Sequence, residues 1–314
     1  MTESRTTTST TTSAAERVGA AEAAGQRETR FGKPRYASEN ARLNALLDKR
    51  RPALAVHRGS PGGSIVDNTV DAMRAASRQG ADVIEIDVVK STDGDFFCFH
   101  DGQESRHFGV EENMNTLNTE QISALNYSYA RESGYGVTRL ETMLEAVERY
   151  APDCVLNIDR SWDHWPSLLR FLDTRCTPDR VLFKAPAGDE ALALADHPVK
   201  YPFMPICRSV DDVERMLYLP DVNTVGVELV THNPDSPFVT ARYIAQVRER
   251  GVFVLANGLN LPNRVPLYAG MDDEVSVLDD PERGWGAMID LGVDMIQTDW
   301  PMLLLEFMRR RNTR

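Results

Sequence analysis

Apolar residues along this chain gather in short continuous runs, separated by longer stretches with helical spacing. The runs cover 53–57, 83–89, 95–100, 154–159, 180–185, 203–207, 224–229, 252–256 and 294–298. Most are apolar throughout rather than alternating, as expected of strands covered on both faces. Between them apolar positions recur every three or four residues, as at Leu140, Met143, Leu144 and Val147, or Val213, Met216 and Leu217. Helix ends are legible as well. Thr138 with Glu141, and Ser209 with Asp212, form capping-box patterns. A helix over 239–250 runs into Gly251, suited to a C-terminal cap. A further helix is expected over 38–49, with Leu43, Leu46 and Leu47 at helical spacing.

Strand–helix alternation repeated this often predicts an α/β fold: a parallel sheet closed into a (β/α)8 TIM-type barrel, or a doubly wound open sheet. Nine runs are one more than a closed barrel uses. The run 95–100 follows 83–89 after only a Ser91-Thr92-Asp93-Gly94 turn. That is too short for a crossover helix, so an irregular barrel is expected there. Residues 101–137 carry few strand signals and follow a strand end directly, so they are read as a loop insertion over the barrel mouth. Residues 1–36 begin Thr/Ser-rich and are too poor in large apolar side chains to pack; they are read as a disordered tail, with 37–314 forming the barrel.

Composition narrows the partners. Hydrophobic residues make up 42% of 314, enough for a large core. The net charge of -12 argues against nucleic acid as the main partner, but not against a small phosphate ligand held by a few local cations. No stretch is apolar for long enough to span a membrane, and the N-terminus lacks a signal-peptide pattern, so the expectation is a soluble, cytoplasmic protein. The 4 cysteines show no CxxC spacing; Cys98 and Cys154 lie in apolar runs as buried thiols.

Several predicted strands end in chemically capable residues: His57-Arg58-Gly59, Glu85-Ile86-Asp87, His100-Asp101, Asn157-Ile158-Asp159 and Phe183-Lys184. In a barrel the strand C-termini converge on one mouth. Strand alternation sets Glu85 and Asp87 on the same face. Two inward carboxylates repel one another, and a cation that prefers oxygen, Mg²⁺ or Ca²⁺, would relieve this, with Asp159 as a third ligand. Blander roles stand beside these. Glu85 and Asp87 fit a salt-bridge network, and Lys184 an ion pair with Asp159 or Glu85. Glu228 fits either a pocket wall or an arginine pairing, and Asp67 and Asn68 fit a helix cap, with Asn68 also placed to hold Arg58 or the loop. For Trp162, Trp165 and Trp285 core packing is the default over lining a pocket, and His107, His164, His197 and His232 are placed on the surface or in loops.

Taken in order, Val56-His57-Arg58-Gly59, Asp67-Asn68-Thr69, 80–88 (GADVIEIDV), Thr92-Asp93-Gly94, Phe99-His100-Asp101, Thr138-Arg139-Leu140-Glu141, Leu156-Asn157-Ile158-Asp159 and 292–301 (GVDMIQTDWP) resemble the glycerophosphodiester phosphodiesterase family. The resemblance implies His57 and His100 as general base and acid, one divalent cation on Glu85, Asp87 and Asp159, and Arg58 on a phosphate oxygen. It implies a small phosphodiester substrate, cleaved to an alcohol and a phosphomonoester. An alternative is a cyclising, phospholipase D-like lyase acting on a lysophospholipid; another is an inactive barrel that binds a phosphorylated ligand. There are departures. Asp67 stands where the family has Glu. Asp159 and Ser161 stand where it has Glu and, two residues on, Lys. Asp at the third ligand position is similar to the sphingomyelinase D-like toxins. Lys184 is placed to replace the missing cation, and Leu255-Ala256-Asn257-Gly258 replaces a Trp-Thr-Val-Asn-like strand end.

Overall fold

Eight parallel strands close into a barrel. A computed structural model of the chain describes residues 30–130 and 134–312. The barrel strands are β1 (Ala53–Val56), β2 (Val83–Lys90), β5 (Val155–Asp159), β6 (Val181–Pro186), β7 (Phe203–Cys207), β8 (Gly226–Leu229), β9 (Phe253–Asn257) and β10 (Met295–Thr298). Each pairs in parallel with the next, and β1 closes the ring by pairing with both β10 and β2. Register sets the faces: Glu85 pairs with Asn157 and Asp87 with Asp159.

The remaining strands explain the expected irregularity. β3 (Phe96–Cys98) and β4 (Thr138–Arg139) lie outside the barrel. β3 turns back antiparallel on the end of β2, with Val88 opposite Cys98, and β4 runs antiparallel to β3. The barrel itself is thus a complete (β/α)8 ring, and the ninth run is a side ribbon. This overturns the expected capping box at Thr138. Thr138 is committed to the ribbon, Arg139 is the residue before the helix Leu140–Tyr150, and its side chain caps nothing. The box at Ser209 and Asp212 forms as expected, each side chain bonding the other's backbone N–H. Thr240 caps the helix Ala241–Glu249, whose chain then turns at Gly251 with φ 81.

Two cores follow from two-sided strands. Outward residues such as Leu54, Ile84, Ile86, Ile158, Phe183 and Val254 pack under the helices. Inward ones, including Ala55, Val83, Val155, Leu182, Met204, Leu255 and Met295, fill the barrel. The barrel floor is stoppered by Phe31 and by Leu43, Leu46 and Leu47 of the helix Ala41–Lys49. Phe31 is 2% exposed and meets Phe253 edge-on at 6.1 Å. The expected tail 1–36 is therefore too long: the compact unit starts at Phe31, because this aromatic ring finds a place in the floor. The rest of that expectation, residues 1–29, lies outside the described residues.

The insertion 101–137 is more ordered than its sequence suggested. It contains the helices Glu104–Phe108 and Thr119–Ala124, and Met114, Ile122 and Val137 form a small core with Val89, Phe97 and Phe99. Asn118 and Gln121 cap the second helix reciprocally. No helix among the described residues is long and apolar enough to cross a membrane. The 4 cysteines are free; Cys98, Cys154 and Cys207 are buried.

Candidate active site

Inward positions at the C-terminal ends of β2 and β5 bring Glu85, Asp87 and Asp159 together, with one oxygen of each within 4.8 Å of the others. Glu85 and Asp87 are 1% and 2% exposed. Burial and the neighbouring Asp87 charge push the Glu85 carboxyl up to about 7. Asp87 is also penalised by burial, yet Arg58, His100 and the Asn68 amide hold it below its ordinary value. Two adjacent carboxyl groups with opposite shifts are a mark of crowded negative charge.

The turn after β1 carries the cationic counterpart. Arg58 has φ 51 and Gly59 φ 75. A side chain at Gly59 would sit 2.6 Å from the Ala72 carbonyl carbon, so only glycine lets this turn press against the helix Val70–Arg78. The turn aims the Arg58 N–H at Oε2 of Glu85, 2.8 Å away. The Arg58 guanidinium Nε lies 2.9 Å from Oδ2 of Asp87, though without a hydrogen bond's alignment, and one terminal nitrogen is 3.4 Å from Asp67. Asn68 does not cap the helix, which Thr69 does, but it has the other expected contact, to Arg58. Its amide clasps Asp87, accepting from the Asp87 backbone N–H at 2.9 Å and donating to Oδ2 at 3.0 Å. Its own N–H donates to the Arg58 carbonyl.

Lys184, 2% exposed, reaches into the same site. Its Nζ is 2.8 Å from Oδ2 of Asp159 and 3.4 Å from Oε2 of Glu228. Burial works against its charge, but Asp159, Glu228 and Glu85 outweigh that and raise its pKa. Glu228 pairs with this lysine and accepts from Asn257 at 2.9 Å, so the expected arginine partner is not the one it has. Ser161 is fully buried and turned elsewhere, accepting from the Trp165 indole at 2.9 Å. Trp165 and Trp285 are core residues, as the default had it.

The two histidines flank the carboxylates. His57 follows β1, and its Nδ1 is 2.9 Å from Asp299. Burial alone would lower its pKa; the Asp299 hydrogen bond and the Glu85 charge raise it overall. His100 follows β3, beside Phe99, whose N–H donates to the Asp87 carbonyl. Its Nδ1 is 2.8 Å from the Asp101 carbonyl. Since a carbonyl or a carboxylate can only accept, both imidazoles carry hydrogen on Nδ1, which leaves Nε2 as the nitrogen for proton transfer. Asp299 was read from sequence only as part of the 292–301 motif, and its service to His57 became visible once β10 was set beside β1. His107 also departs from its expected surface place. It is 3% exposed inside the insertion, with Nδ1 2.7 Å from the Tyr129 hydroxyl and Nε2 3.7 Å from Asp67.

The barrel mouth thus gathers four carboxylates (Glu85, Asp87, Asp159 and Glu228), two cations and two histidines. The profile of the glycerophosphoryl diester phosphodiesterase family matches residues 57–303, and the chain belongs to that family, one of enzymes that cleave phosphodiesters. Solved structures share the fold. One is an Oleispira antarctica phosphodiesterase in complex with the product sn-glycerol-3-phosphate, with a TM-score of 0.63 and 18% identity over 84% of this chain and 99% of that one. Another is a glycerophosphodiester phosphodiesterase from Parabacteroides distasonis, with a TM-score of 0.60 and 15% identity over 84% and 99%. Lysophospholipase D GDPD3 of Mus musculus is 36% identical over 69 residues, which span 22% of this chain and 21% of that protein.

Proposed function

We propose that this enzyme hydrolyses a glycerophosphodiester, or a closely similar alkyl phosphodiester, to an alcohol and a phosphomonoester. The observation that carries the reading is the trio Glu85, Asp87 and Asp159 within 4.8 Å, set between two histidines that both offer Nε2. The trio fits one divalent cation, Mg²⁺ or Ca²⁺. The donors are all hard carboxylate oxygens; the hydrogen bonds described leave Oε1 of Glu85 and Oδ1 of Asp87 open, whereas on Asp159 Oδ1 accepts the Arg160 N–H at 2.7 Å and Oδ2 meets Lys184. Bound there, the cation supplies positive charge against the phosphoryl oxygens.

The chain's own residues do the rest. Arg58, whose Nε lacks an aligned partner, binds a phosphate oxygen through its planar fork. Lys184 stands in for the cation that Ser161 does not provide, and its ammonium faces the phosphate from the Asp159 side. Glu228 and Asn257 line the alcohol end and accept or donate to substrate hydroxyls. One histidine takes the proton of the attacking water at Nε2. The other donates a proton from Nε2 to the departing alkoxide as the phosphorus–oxygen bond breaks. A substrate hydroxyl in place of water would give a cyclic phosphate by the same proton transfers. The mouse lysophospholipase D relative brings lysophospholipids into the substrate panel. The cytoplasm is the proposed location, supported by 4 free cysteines.

The test is phosphodiesterase turnover after chelation and after restoring Mg²⁺ or Ca²⁺. The panel is glycerophosphocholine, glycerophosphoethanolamine, a lysophosphatidylcholine and a sugar phosphodiester, with phosphorus NMR of the products. Cation-dependent turnover that is lost in His57→Ala is expected. A cyclic phosphate as final product would replace hydrolase by lyase. Absence of turnover on all four substrates, with cation binding intact, would favour a binding barrel.

A further inference from the structure

Between β9 and the helix Ala287–Leu291 the chain makes a long excursion that ends in two turns, Val275–Asp279 and Glu282–Gly286. This excursion buries Asp273 to 2% exposure directly under the end of β10. Its Oδ1 accepts from the Trp285 indole at 2.7 Å and from the Thr298 hydroxyl at 2.8 Å. Its Oδ2 accepts the backbone N–H of Asp299 at 2.8 Å. Its own N–H donates to the Gly258 carbonyl at 2.7 Å, and the Trp285 N–H is tied to Ser276 at 2.9 Å, so the carboxylate cannot drift. Burying a carboxyl group is costly, and the cost is visible: burial pushes Asp273 up to about 7 despite three donors. A turn that needed only a lid could use a neutral acceptor at less cost.

The bonded chain leads to the reaction centre. Asp299, whose N–H Asp273 holds, is the residue whose carboxylate holds Nδ1 of His57 at 2.9 Å. The Asp299 side chain is itself 44% exposed, so its backbone anchor helps to decide where its carboxylate points. We infer that Asp273 is a positioning residue, which locks the Asp299 backbone and through it the orientation and tautomer of the His57 imidazole. The inference rests on the reading of His57 as an acid/base group. Asp273 touches no reacting atom, and its effect travels through two hydrogen bonds. A misplacement of about 1 Å at a proton-transfer group costs up to about 100-fold in rate.

The test is Asp273→Asn. The amide keeps the volume but turns a donor toward either the Asp299 N–H or the Trp285 and Thr298 donors, so at least one bond is lost. In protein with ¹⁵N-labelled histidine and Mg²⁺ present, the Nδ1–H resonance of His57 should broaden or vanish while near-UV circular dichroism is kept; this readout needs no substrate. On glycerophosphocholine kcat should fall about 10-fold or more with KM little changed, since no substrate contact is removed. A variant with wild-type kcat and an unchanged His57 resonance overturns the inference. Should Asp273→Asn fail to fold, Thr298→Val and Thr298→Ser carry the test. The valine variant loses a donor to Asp273 and should lose kcat, and the serine variant should keep it; equal kcat in the two overturns the inference. His57→Ala is run beside them. If it stays active, the acid/base reading falls; if it is dead while Asp273→Asn is normal, only the positioning role falls.

Discussion

Replacing Lys184 by methionine removes a buried ammonium and keeps most of the side chain's length. Four carboxylates, Glu85, Asp87, Asp159 and Glu228, share the barrel mouth with two permanent cations, Arg58 and Lys184. With every carboxylate ionised the balance of these six groups is two negative charges, which one divalent cation would cancel; without Lys184 it becomes three. Removing one partner of a buried ion pair costs about 3–5 kcal/mol, because the other charge stays behind uncompensated. Asp159 is 16% exposed and recovers some hydration, so the lower end, about 3 kcal/mol, is expected. Against a total stability of about 5–15 kcal/mol that is a large fraction. The assay is urea unfolding in chelator and again in excess Mg²⁺ or Ca²⁺. The gap between variant and wild type should narrow with cation, which offsets part of the surplus negative charge. A chelated Lys184→Met protein within about 0.5 kcal/mol of wild type would refute the idea that this lysine holds the carboxylates together.

Further outcomes follow from the same geometry. Without cation, stability should fall between pH 5 and 8. Glu85 is pushed up to about 7 by burial and then by Asp87, so the folded state keeps a proton that the unfolded chain has released above about 4.5. The cost builds to about 3 kcal/mol and levels off above pH 7; buried Asp273 adds in the same direction. Chelated protein whose stability is flat or rising over that window would contradict this. Glu85→Gln should remove part of the slope and abolish cation binding in calorimetry. Asn68→Ala, which unclasps Asp87, should weaken cation affinity about 10–100-fold while leaving the helix cap at Thr69 intact. Phe31→Ala should cost about 3–5 kcal/mol in urea unfolding, since it opens the barrel floor under Phe253.

Much of the architecture was legible because it is written in local periodicity. Strands buried on both faces need unbroken apolar runs, and eight of the nine runs are barrel strands. The ninth misled only in its placement. The Ser91–Gly94 turn forbids a helical crossover, but whether the chain then adds to the ring or folds back depends on which edge of β2 is already taken, by β1 and β5. Thr138 and Glu141 failed as a capping box for a related reason: a capping pattern competes with strand pairing, and β3 offered a partner 40 residues away in sequence. In the site, alternation alone set Glu85 and Asp87 on one face, and the strand ends proposed Asp159 and Lys184 correctly as neighbours.

What the sequence by itself determined is the alternating α/β pattern, the strand-end chemistry and the order of motifs, since each depends on residues a few positions apart. What only the tertiary structure decided is which distant groups meet. Asp299 reaches His57 across 242 residues, Lys184 bridges Asp159 and Glu228 from three different strands, and Phe31 closes the floor from a segment that looked unstructured. These contacts arise from closing the ring, which sets β10 beside β1 and turns the inward residues of every strand onto one axis. Ring closure is a property of the whole sheet, and no local window contains it.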